Sequence, residues 1–387
     1  MPNIIICAHK YLTQPDDELV LYLNQRKSGE LLMIHHSFAD ASDRSSRCVW
    51  YKEGMVHKAC ETADYQWLPE SLIYAKELIC TMKWVLTTRT KWDVYIGMDG
   101  LCVLFGNITR FFGSVQKTIY WAIDFVPEHR FKSCIKNFIY HWINVRGYRN
   151  ADELWDLSPR MAAAREKYLG IRINDYRLHK VVPYGAWTKR IKKYRYNECQ
   201  KNTLVFMGHL IEKQGVQLVI KAIPEIIKTM PEFKFKIIGE GSYRNELEKL
   251  SSTLNVSAYC DFRGKINDIL ELEKEIARSC AGIAPYVKAL DTWTYYADPG
   301  KVKTYLACGA PVLLTDIPWN AMEIEKAGCG KIISEEISDI VAGILELMDP
   351  KNNQNYRDCA VRYSMGFDYT SIFDTLACEW EKDCASE

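Results

Sequence analysis

Residues 202–241, which read NTLVFMGHLIEKQGVQLVIKAIPEIIKTMPEFKFKIIGEG, restrict the fold of this chain more than any other segment. An apolar run stops at Gly208, an amphipathic run with helical spacing follows, and an alternating run ends in a Gly-x-Gly turn that starts at Gly239. This order predicts a strand, a loop, a helix and a second strand, which is the repeating unit of a parallel α/β sheet. Ligands of such sheets bind outside the carboxyl ends of the strands, so the two glycine turns indicate a ligand site.

A second segment, ADPGKVKTYLACGAPVLLTD at 297–316, predicts a helix with strong end signals. Asp298 is a good N-cap, Pro299 suits the first helical position, and Gly309 suits the end of the helix. The first turn then presents the backbone N–H groups of Gly300 and Lys301, and the lysine adds a full positive charge. Gly300 also permits a close approach of a phosphate to the backbone.

A well-capped helix without any ligand is the alternative interpretation of this segment. The loop at 208–215 argues against it, because this loop is another strand-end turn and carries His209 and Lys213. Two such loops on one sheet favour a diphosphate ligand.

The N-terminal half alternates in the same way. Strands are predicted at 3–9, 30–38, 92–100, 117–125 and 179–185, and helices at 68–86 and 159–170. This alternation predicts a parallel, doubly wound sheet. A chain of 387 residues favours two domains. We expect an N-terminal domain over 1–190, a charged linker at 186–201, a C-terminal domain over 200–366 and a separate final segment over 367–387.

Two aspartates, Asp99 and Asp124, end predicted strands of the first domain and are candidates for catalysis. His9 ends the first strand in the same way. The alternative for each aspartate is a helix N-cap or a turn residue, which is the commoner use of aspartate at such a position.

The quoted motifs resemble those of the GT-B glycosyltransferases, and most of all those of glycosyltransferase family 4, the glycosyl transferases group 1. The family's Gly-Arg-Leu and Lys-Gly appear here as Gly208-His209-Leu210 and Gln214-Gly215, and its Gly-Glu-Gly turn is retained at 239–241. Its EAMACGxPV segment appears as TYLACGAPV at 304–312. The resemblance implies an α/β fold with two Rossmann-like domains facing a cleft, the first for the acceptor and the second for a nucleotide-sugar. It also implies a final helix near 367–383 that crosses back to the first domain.

Several family residues are replaced in this chain. The diphosphate-binding Arg and Lys fall on His209 and Gln214, with Lys213 as a neighbouring substitute, and the two glutamates of the E-x7-E motif fall on Tyr296 and Thr304. The family's histidine at the reaction centre falls within one residue of Asp124. The residues expected to bind the donor are Gly208, His209, Lys213, Gly239, Tyr296, Asp298, Gly300, Lys301 and Thr304.

The resemblance implies a hexosyltransferase-type enzyme that moves a sugar from a nucleotide-sugar to a glycan, a lipid-linked or another hydroxyl acceptor, with retention. The replaced residues keep open a non-catalytic GT-B scaffold or partner subunit of a glycosyltransferase complex. We expect no cofactor and no metal, since no Cys/His cluster has zinc spacing. A nicotinamide dehydrogenase is disfavoured, because no G-x-G-x-x-G follows a strand.

The composition bears on the location and the partners of the protein. Fourteen scattered cysteines without C-x-x-C, no signal-peptide pattern and no long uncharged apolar run predict a cytoplasmic protein. Aromatic and basic residues alternate at 84–92 and 110–112, which is compatible with peripheral contact at the inner membrane face. The alternative is that these aromatics lie in the core. Nucleic acid is disfavoured, because the pI is about 7.5 and no recognition motif is present.

Overall fold

The computed structural model describes residues 2–10, 14–27, 29–38, 41, 43–127, 130–290 and 294–385. The chain divides into two compact units. Unit 1 comprises the residues up to Pro183 together with those from Ile372 onward, and unit 2 comprises Tyr184–Ser371. Both units are α/β, as predicted. Among the described residues, no helix combines the length and the apolar character needed to cross a membrane.

Unit 1 contains one eight-stranded sheet with the order β4-β3-β2-β1-β5-β6-β7-β8. Its strands are β1 (Ile4–His9), β2 (Leu31–His36), β3 (Ser46–Lys52), β4 (Met55–Glu61), β5 (Trp92–Gly97), β6 (Val115–Ala122), β7 (Glu153–Asp156) and β8 (His179–Val181). Its helices are α1 (Pro15–Gln25), α2 (Glu70–Thr87), α3 (Gly100–Phe111), α4 (Cys134–Asn150) and α5 (Pro159–Leu169). The central strand β1 is buried along its whole length, which explains its unbroken apolar run.

The sheet of unit 1 is not wholly parallel, and this corrects the sequence prediction. β3 and β4 form an antiparallel hairpin at one edge, and β3 also pairs antiparallel with β2. No residue of β4 is buried, so this strand shows no hydrophobic alternation from which it could be predicted. The hairpin turns at Glu53 and Gly54, which both adopt positive φ.

Unit 2 contains a six-stranded parallel sheet with the order β11-β10-β9-β12-β13-β14. Its strands are β9 (Gln200–Met207), β10 (Lys234–Ile238), β11 (Cys260–Gly264), β12 (Ser279–Ala284), β13 (Val312–Leu314) and β14 (Gly330–Ile332). Its helices are α6 (Val216–Thr229), α7 (Arg244–Thr253), α8 (Ile269–Ala277), α9 (Gly300–Ala307), α10 (Ala321–Lys326), α11 (Ile337–Met348) and α12 (Pro350–Ser364). The last helix of the chain, α13 (Tyr369–Ala385), begins in unit 2 and continues into unit 1.

Several strands of unit 1 end earlier than predicted, and for β5 and β6 this affects the candidate catalytic residues. β5 ends at Gly97 and β6 at Ala122, so Asp99 and Asp124 each lie two residues beyond a strand. The carboxyl ends of parallel strands share one edge of the sheet, and both aspartates therefore follow that edge.

Candidate functional site

Two glycine turns meet at the carboxyl edge of the sheet in unit 2. Gly208 follows β9 with φ at 145°, and Gly239 follows β10 with φ at 141°. A Cβ atom added to Gly239 would lie 1.9 Å from the carbonyl oxygen of Gly208. Only glycine fits such a contact, so the two strand ends present bare backbone side by side.

Gly215 fixes the loop that follows β9. Its φ is 76°, and a Cβ atom there would lie 1.6 Å from the carbonyl oxygen of Pro285. The loop passes through a single 3-10 turn over Glu212–Gln214, and α6 begins directly after Gly215. The close backbone contact with Pro285 therefore sets the position of Gln214.

Helix α9 begins at Gly300, but Asp298 does not cap it, and that part of the sequence prediction is wrong. The residue at the N-cap position is Pro299, which has no capping side chain. Asp298 is 1% exposed and accepts hydrogen bonds from the backbone N–H of Tyr184 at 2.9 Å and from Nε1 of Trp319 at 2.9 Å. Its carboxylate binds these donors instead of the first backbone N–H groups of α9.

A buried lysine also faces Asp298. Lys303 Nζ lies 3.4 Å from Asp298 Oδ2, and both side chains are almost fully buried. Burial raises the pKa of Asp298, although the charge of Lys303 and the hydrogen bonds from Trp319 and Tyr184 act in the opposite direction. Asp298 therefore anchors the segment in front of α9.

Lys301 joins the two segments that the sequence singled out. Its Nζ donates a hydrogen bond to Oε1 of Gln214, and it lies 4.2 Å from the ring centroid of Phe206 and 5.2 Å from that of Tyr286. A Cβ atom on Gly208 would lie 2.8 Å from the same Nζ. The ammonium group of α9 is thus held against the turn that ends β9.

The remaining donor-site candidates lie around this group. Thr304 donates its hydroxyl to the carbonyl oxygen of Gly300 at 3.1 Å, and a Cβ atom on Gly300 would make only ordinary contact with the ring of Tyr184 at 3.7 Å. His209 is exposed and Lys213 is half-buried. Tyr296 is half-buried and meets the edge of a neighbouring ring, that of Tyr295, with centroids 5.1 Å apart.

Tyr305 positions α9 and was not found from the sequence. Its hydroxyl accepts a hydrogen bond from the backbone N–H of Met207 at 2.7 Å and donates one to the carbonyl oxygen of Ile283 at 3.3 Å. A Cβ atom on Gly282 would lie 2.6 Å from the ring of Tyr305, so glycine leaves the space for it. The sequence contains one signal for this contact, which is Gly282 within the buried strand β12, because a glycine in a strand often marks a close neighbour.

In unit 1, the ends of β1 and β5 carry a buried chain of polar groups. Asp99 caps α3 by accepting hydrogen bonds from the backbone N–H groups of Leu101 and Cys102 at 2.9 and 3.0 Å. Its other oxygen lies 2.7 Å from Nδ1 of His9, and Nε2 of His9 lies 3.1 Å from Oε2 of Glu77. Asp99 is therefore a helix N-cap, as the alternative interpretation of the sequence held, and it also contacts His9.

The two carboxylates keep His9 charged. Burial alone would lower the pKa of His9, but Asp99 and Glu77 raise it well above its ordinary value. In return, burial would raise the pKa of Asp99, but the charge and hydrogen bond of His9 hold it below its ordinary value. Glu77 was missed because a helical residue gives no local signal, although it lies four residues after Ile73 on the buried face of α2.

Asp124 forms a different pair. Its carboxylate is 39% exposed and lies 2.6 Å from Nη1 of Arg130, which also lies 3.4 Å from the hydroxyl of Tyr140. Burial lowers the pKa of Arg130, but the Asp124 charge outweighs this and raises it. Asp124 does not cap a helix, because α4 begins at Cys134 and is capped by Ser133.

Residues 201–350 match the family model of the glycosyl transferases group 1. A curated relative, the GDP-mannose-dependent alpha-(1-6)-phosphatidylinositol monomannoside mannosyltransferase of Mycolicibacterium smegmatis, is 28% identical over 68 residues, which are 18% of each chain. An uncharacterized glycosyltransferase of Haemophilus influenzae is 24% identical over 79 residues, 20% of this chain and 22% of the relative. The matched stretches thus span less than a quarter of either relative.

Solved structures extend the likeness to the whole fold. Sucrose-phosphate synthase from Thermosynechococcus elongatus matches with a TM-score of 0.73 at 14% identity, over 100% of both chains. Anabaena HepE in complex with UDP matches with a TM-score of 0.68 at 14% identity, over 98% of this chain and 100% of HepE. WaaG, a glycosyltransferase involved in lipopolysaccharide biosynthesis, matches with a TM-score of 0.66 at 16% identity, over 97% and 98%.

The fold is therefore that of the GT-B glycosyltransferases, and the predicted pair of Rossmann-like α/β domains is confirmed. Within it, residues 201–350 are similar to the glycosyl transferases group 1. The resemblance predicted from the motifs at 208–215, 239–241 and 304–312 is confirmed.

Proposed function

We propose that this protein is a glycosyltransferase that moves a hexosyl group from a nucleoside diphosphate sugar to a hydroxyl acceptor. One observation carries the proposal: the ammonium of Lys301 is held against the Gly208 turn by Gln214. A diphosphate suits this site for three reasons. Lys301 supplies a positive charge, the glycines at two strand ends leave their backbone accessible, and the first turn of the eight-residue helix α9 supplies N–H groups. The binding of UDP by HepE, a protein of the same fold, supports this class of ligand.

The family's lysine at position 214 is a glutamine here, and we propose that Lys301 replaces its charge. Gln214 and Lys301 lie 87 residues apart in sequence, but their side chains are joined by a hydrogen bond. The positive charge therefore comes from α9 instead of the loop after β9. The other donor residues proposed are Gly208, His209, Lys213, Gly239, Tyr296, Asp298, Gly300 and Thr304.

In the proposed reaction, the bond between the anomeric carbon and the diphosphate breaks while a bond to the acceptor oxygen forms. Negative charge grows on the leaving diphosphate, where Lys301 and the first N–H groups of α9 stabilise it. We propose retention of configuration, with the acceptor proton passing to a phosphate oxygen of the leaving group. We also propose that the reaction needs no metal, so EDTA should leave turnover unchanged.

Calorimetry with UDP, GDP and ADP tests the site. Lys301→Gln should weaken the preferred nucleotide by roughly 1–3 kcal/mol, the scale of a charge-assisted hydrogen bond. The double variant Gln214→Lys/Lys301→Gln returns the charge to the loop and should recover a large part of the affinity. Lys288→Gln, at a lysine whose side chain is 72% exposed, is the matched control and should change nothing. Unchanged affinity in Lys301→Gln would refute the placement.

A non-catalytic scaffold is the second candidate, because Tyr296 and Thr304 stand where the family has two glutamates. An assay of nucleotide release from a panel of nucleotide-sugars, with and without glycan and lipid-linked acceptors, separates the two. Release that depends on an acceptor supports the enzyme, whereas nucleotide binding without any release supports the scaffold.

We propose a cytoplasmic location for this activity. Among the described residues, thirteen cysteines carry free thiols, and seven of these are buried. Free buried thiols suit a reducing compartment. Fractionation of cells that express the protein at its natural level tests this location, and recovery outside the cytoplasm would contradict it.

A further inference from the structure

Helix α4 buries polar side chains and exposes apolar ones, which is the reverse of an ordinary surface helix. The residues that it buries are Asn137, Asn144, Gly147 and Tyr148. The residues that it exposes include Ile135 at 72%, Phe138 at 70%, Ile139 at 48% and Trp142 at 47%. Ile135, the adjacent pair Phe138 and Ile139, and Trp142 follow one another at intervals of three or four residues, so they form one continuous apolar stripe on the outer face.

The buried polar residues show that this orientation is specified. Asn137 exchanges two hydrogen bonds with the backbone of Phe131, at 2.9 and 2.7 Å. Asn144 accepts a hydrogen bond from the hydroxyl of Tyr120 at 2.5 Å and donates one to the carbonyl oxygen of Tyr140 at 2.8 Å. A rotation of α4 that hid the apolar stripe would break the bond between Asn144 and Tyr120 and those between Asn137 and Phe131.

Gly147 fixes the same orientation through packing. A Cβ atom there would lie 2.8 Å from Cγ1 of Val103 on α3. Turning any larger residue of α4 inward at this level would therefore push the two helices apart. The exposed stripe follows from the way in which α4 is built into unit 1.

Exposed apolar side chains also occur on other helices of the same face of the sheet. α2, α3 and α4 precede β5, β6 and β7, which lie in that order in the sheet, so right-handed crossovers place all three helices on one face. α2 exposes Leu72, Ile79 and Leu86 at 51%, 66% and 51%. Beside them, the end of α3 exposes Phe111 at 83% and Phe112 at 64%.

This surface differs from the segment that the sequence suggested at 84–92. Trp92 and Val85 are buried, and Trp84 packs against the core of unit 1. Of the two segments that the sequence suggested for membrane contact, only 110–112 has exposed aromatic side chains, which are Phe111 and Phe112.

Positive charges border the apolar stripe at both of its ends. α4 contains Arg146 and Arg149 near its end, Lys132 is exposed just before it, and it has no acidic residue. Its remaining cation, Lys136, is paired with Glu70 of α2. The guanidinium of Arg146 lies 5.2 Å from the ring of Trp142. An apolar face with Trp and Phe, bordered by long basic side chains, is the pattern of helices that lie in a membrane interface.

We propose that the outer face of α4 binds the surface of an anionic lipid bilayer, with the helix parallel to the membrane plane. A second copy of the chain fits this face less well, because pairing it with itself would bring the basic ends of two helices together. Anionic headgroups instead neutralise these charges while the stripe enters the acyl boundary. This inference does not depend on the proposed sugar transfer.

Vesicle flotation with the full chain tests the proposal. The protein should float with vesicles of phosphatidylcholine and phosphatidylglycerol in a 7:3 ratio, and much less with phosphatidylcholine alone. The double variant Phe138→Ser/Trp142→Ser should lower the partition coefficient at least ~10-fold, because it removes two side chains of the stripe. Arg146→Gln/Arg149→Gln should weaken binding at low salt and flatten its dependence on salt.

The matched control is Ile269→Ser/Leu270→Ser, which alters two apolar side chains of α8 that are 45% and 59% exposed. It should float like the parent. Thermal unfolding of every variant should stay close to that of the parent, since the altered side chains are exposed. A parent that does not float, or a Phe138→Ser/Trp142→Ser variant that floats as well as the parent, would overturn the proposal. A dimer that this variant abolishes, without any flotation of the parent, would assign the face to a second copy.

Discussion

At the scale of single residues, His9 of unit 1 is held by charged partners on both sides. It is 4% exposed and lies between two carboxylates, those of Asp99 and Glu77. Because its pKa is raised, the folded protein keeps the proton at pH values where the unfolded chain loses it. His9 therefore contributes its full stability below about pH 6.5, and this contribution is lost as the pH rises through the folded pKa.

Asp99 has the opposite dependence, since its pKa is lowered on folding. Its contribution is present above the unfolded pKa of about 3.9 and is lost as the pH falls through the folded pKa. The pair is thus most stabilising between about pH 4 and 6.5. We predict that urea unfolding midpoints of the parent decline from pH 6.5 to 9 more steeply than those of His9→Asn. The control His57→Asn, at an exposed histidine, should keep the parent's slope. Equal slopes in parent and His9→Asn would contradict the charged state of His9.

Asp124 gives a second prediction at this scale. Its exposed carboxylate is held near the edge of the sheet by Arg130 and caps no helix. If it acts on the acceptor or the transition state, Asp124→Asn should cut turnover at least ~100-fold with donor affinity and melting temperature nearly intact. Arg130→Lys, which keeps a cation beside Asp124, should lose much less. Turnover of Asp124→Asn within a few-fold of the parent would move the assignment to Asp99.

At the scale of elements, the position of α9 depends on Tyr305. Its hydroxyl ties the helix to the ends of β9 and β12 through Met207 and Ile283. Tyr305→Phe removes both hydrogen bonds of this hydroxyl, so we predict a loss of about 1–3 kcal/mol in stability. Nucleotide affinity should fall as well, because Lys301 is carried by the first turn of the same helix. Denaturant unfolding and calorimetry measure the two effects.

The control for this prediction is Tyr295→Phe, since Tyr295 is 43% exposed. It should leave both stability and nucleotide affinity unchanged. A Tyr305→Phe variant with parental stability and affinity would show that packing against Gly282 alone positions α9.

The elements also show how far sequence reasoning reaches. The strand-end turns at 208 and 239 and the helix after residue 299 were predicted, because glycine spacing and apolar periodicity are local signals. The bond between Gln214 and Lys301 was not predicted, because only the folded sheet brings these positions together. Asp298 was assigned as a cap because its partners Tyr184 and Trp319 are distant in sequence.

Helix α4 was missed for a different reason. Sequence reasoning assumes that apolar faces are buried, but α4 buries Asn137 and Asn144 and exposes Phe138 and Trp142. β4 was missed because none of its residues is buried. In both elements the apolar residues are not the buried ones, which is the reverse of the ordinary pattern. Exposed apolar surfaces of this kind mark sites that bind a partner.

At the scale of the whole molecule, unit 1 is completed by the end of the chain. Phe373, Leu376 and Trp380 of α13 are nearly fully buried, although they follow β8 by about two hundred residues. The indole of Trp380 stacks on that of Trp155 in β7, with ring centroids 5.9 Å apart. Tyr22 of α1 donates a hydrogen bond to Asp374 at 2.5 Å. Helix α13 therefore packs against β7 and α1 of unit 1.

This closure gives the last prediction. Trp380→Ala removes a large buried side chain next to Trp155, so unit 1 should lose about 3–5 kcal/mol of stability. Truncation after Ser371 removes Phe373 and Leu376 as well and should leave unit 1 unfolded or readily cleaved. Unit 2 keeps its own core, and its fragments should still resist trypsin, which mass spectrometry of the digest can follow. Lys382→Ala alters an exposed side chain of the same helix and is the control, with the parental digestion pattern expected. If unit 1 of the truncated chain resisted trypsin as unit 1 of the parent does, the residues before Pro183 would form a complete domain, and α13 would be an accessory to it.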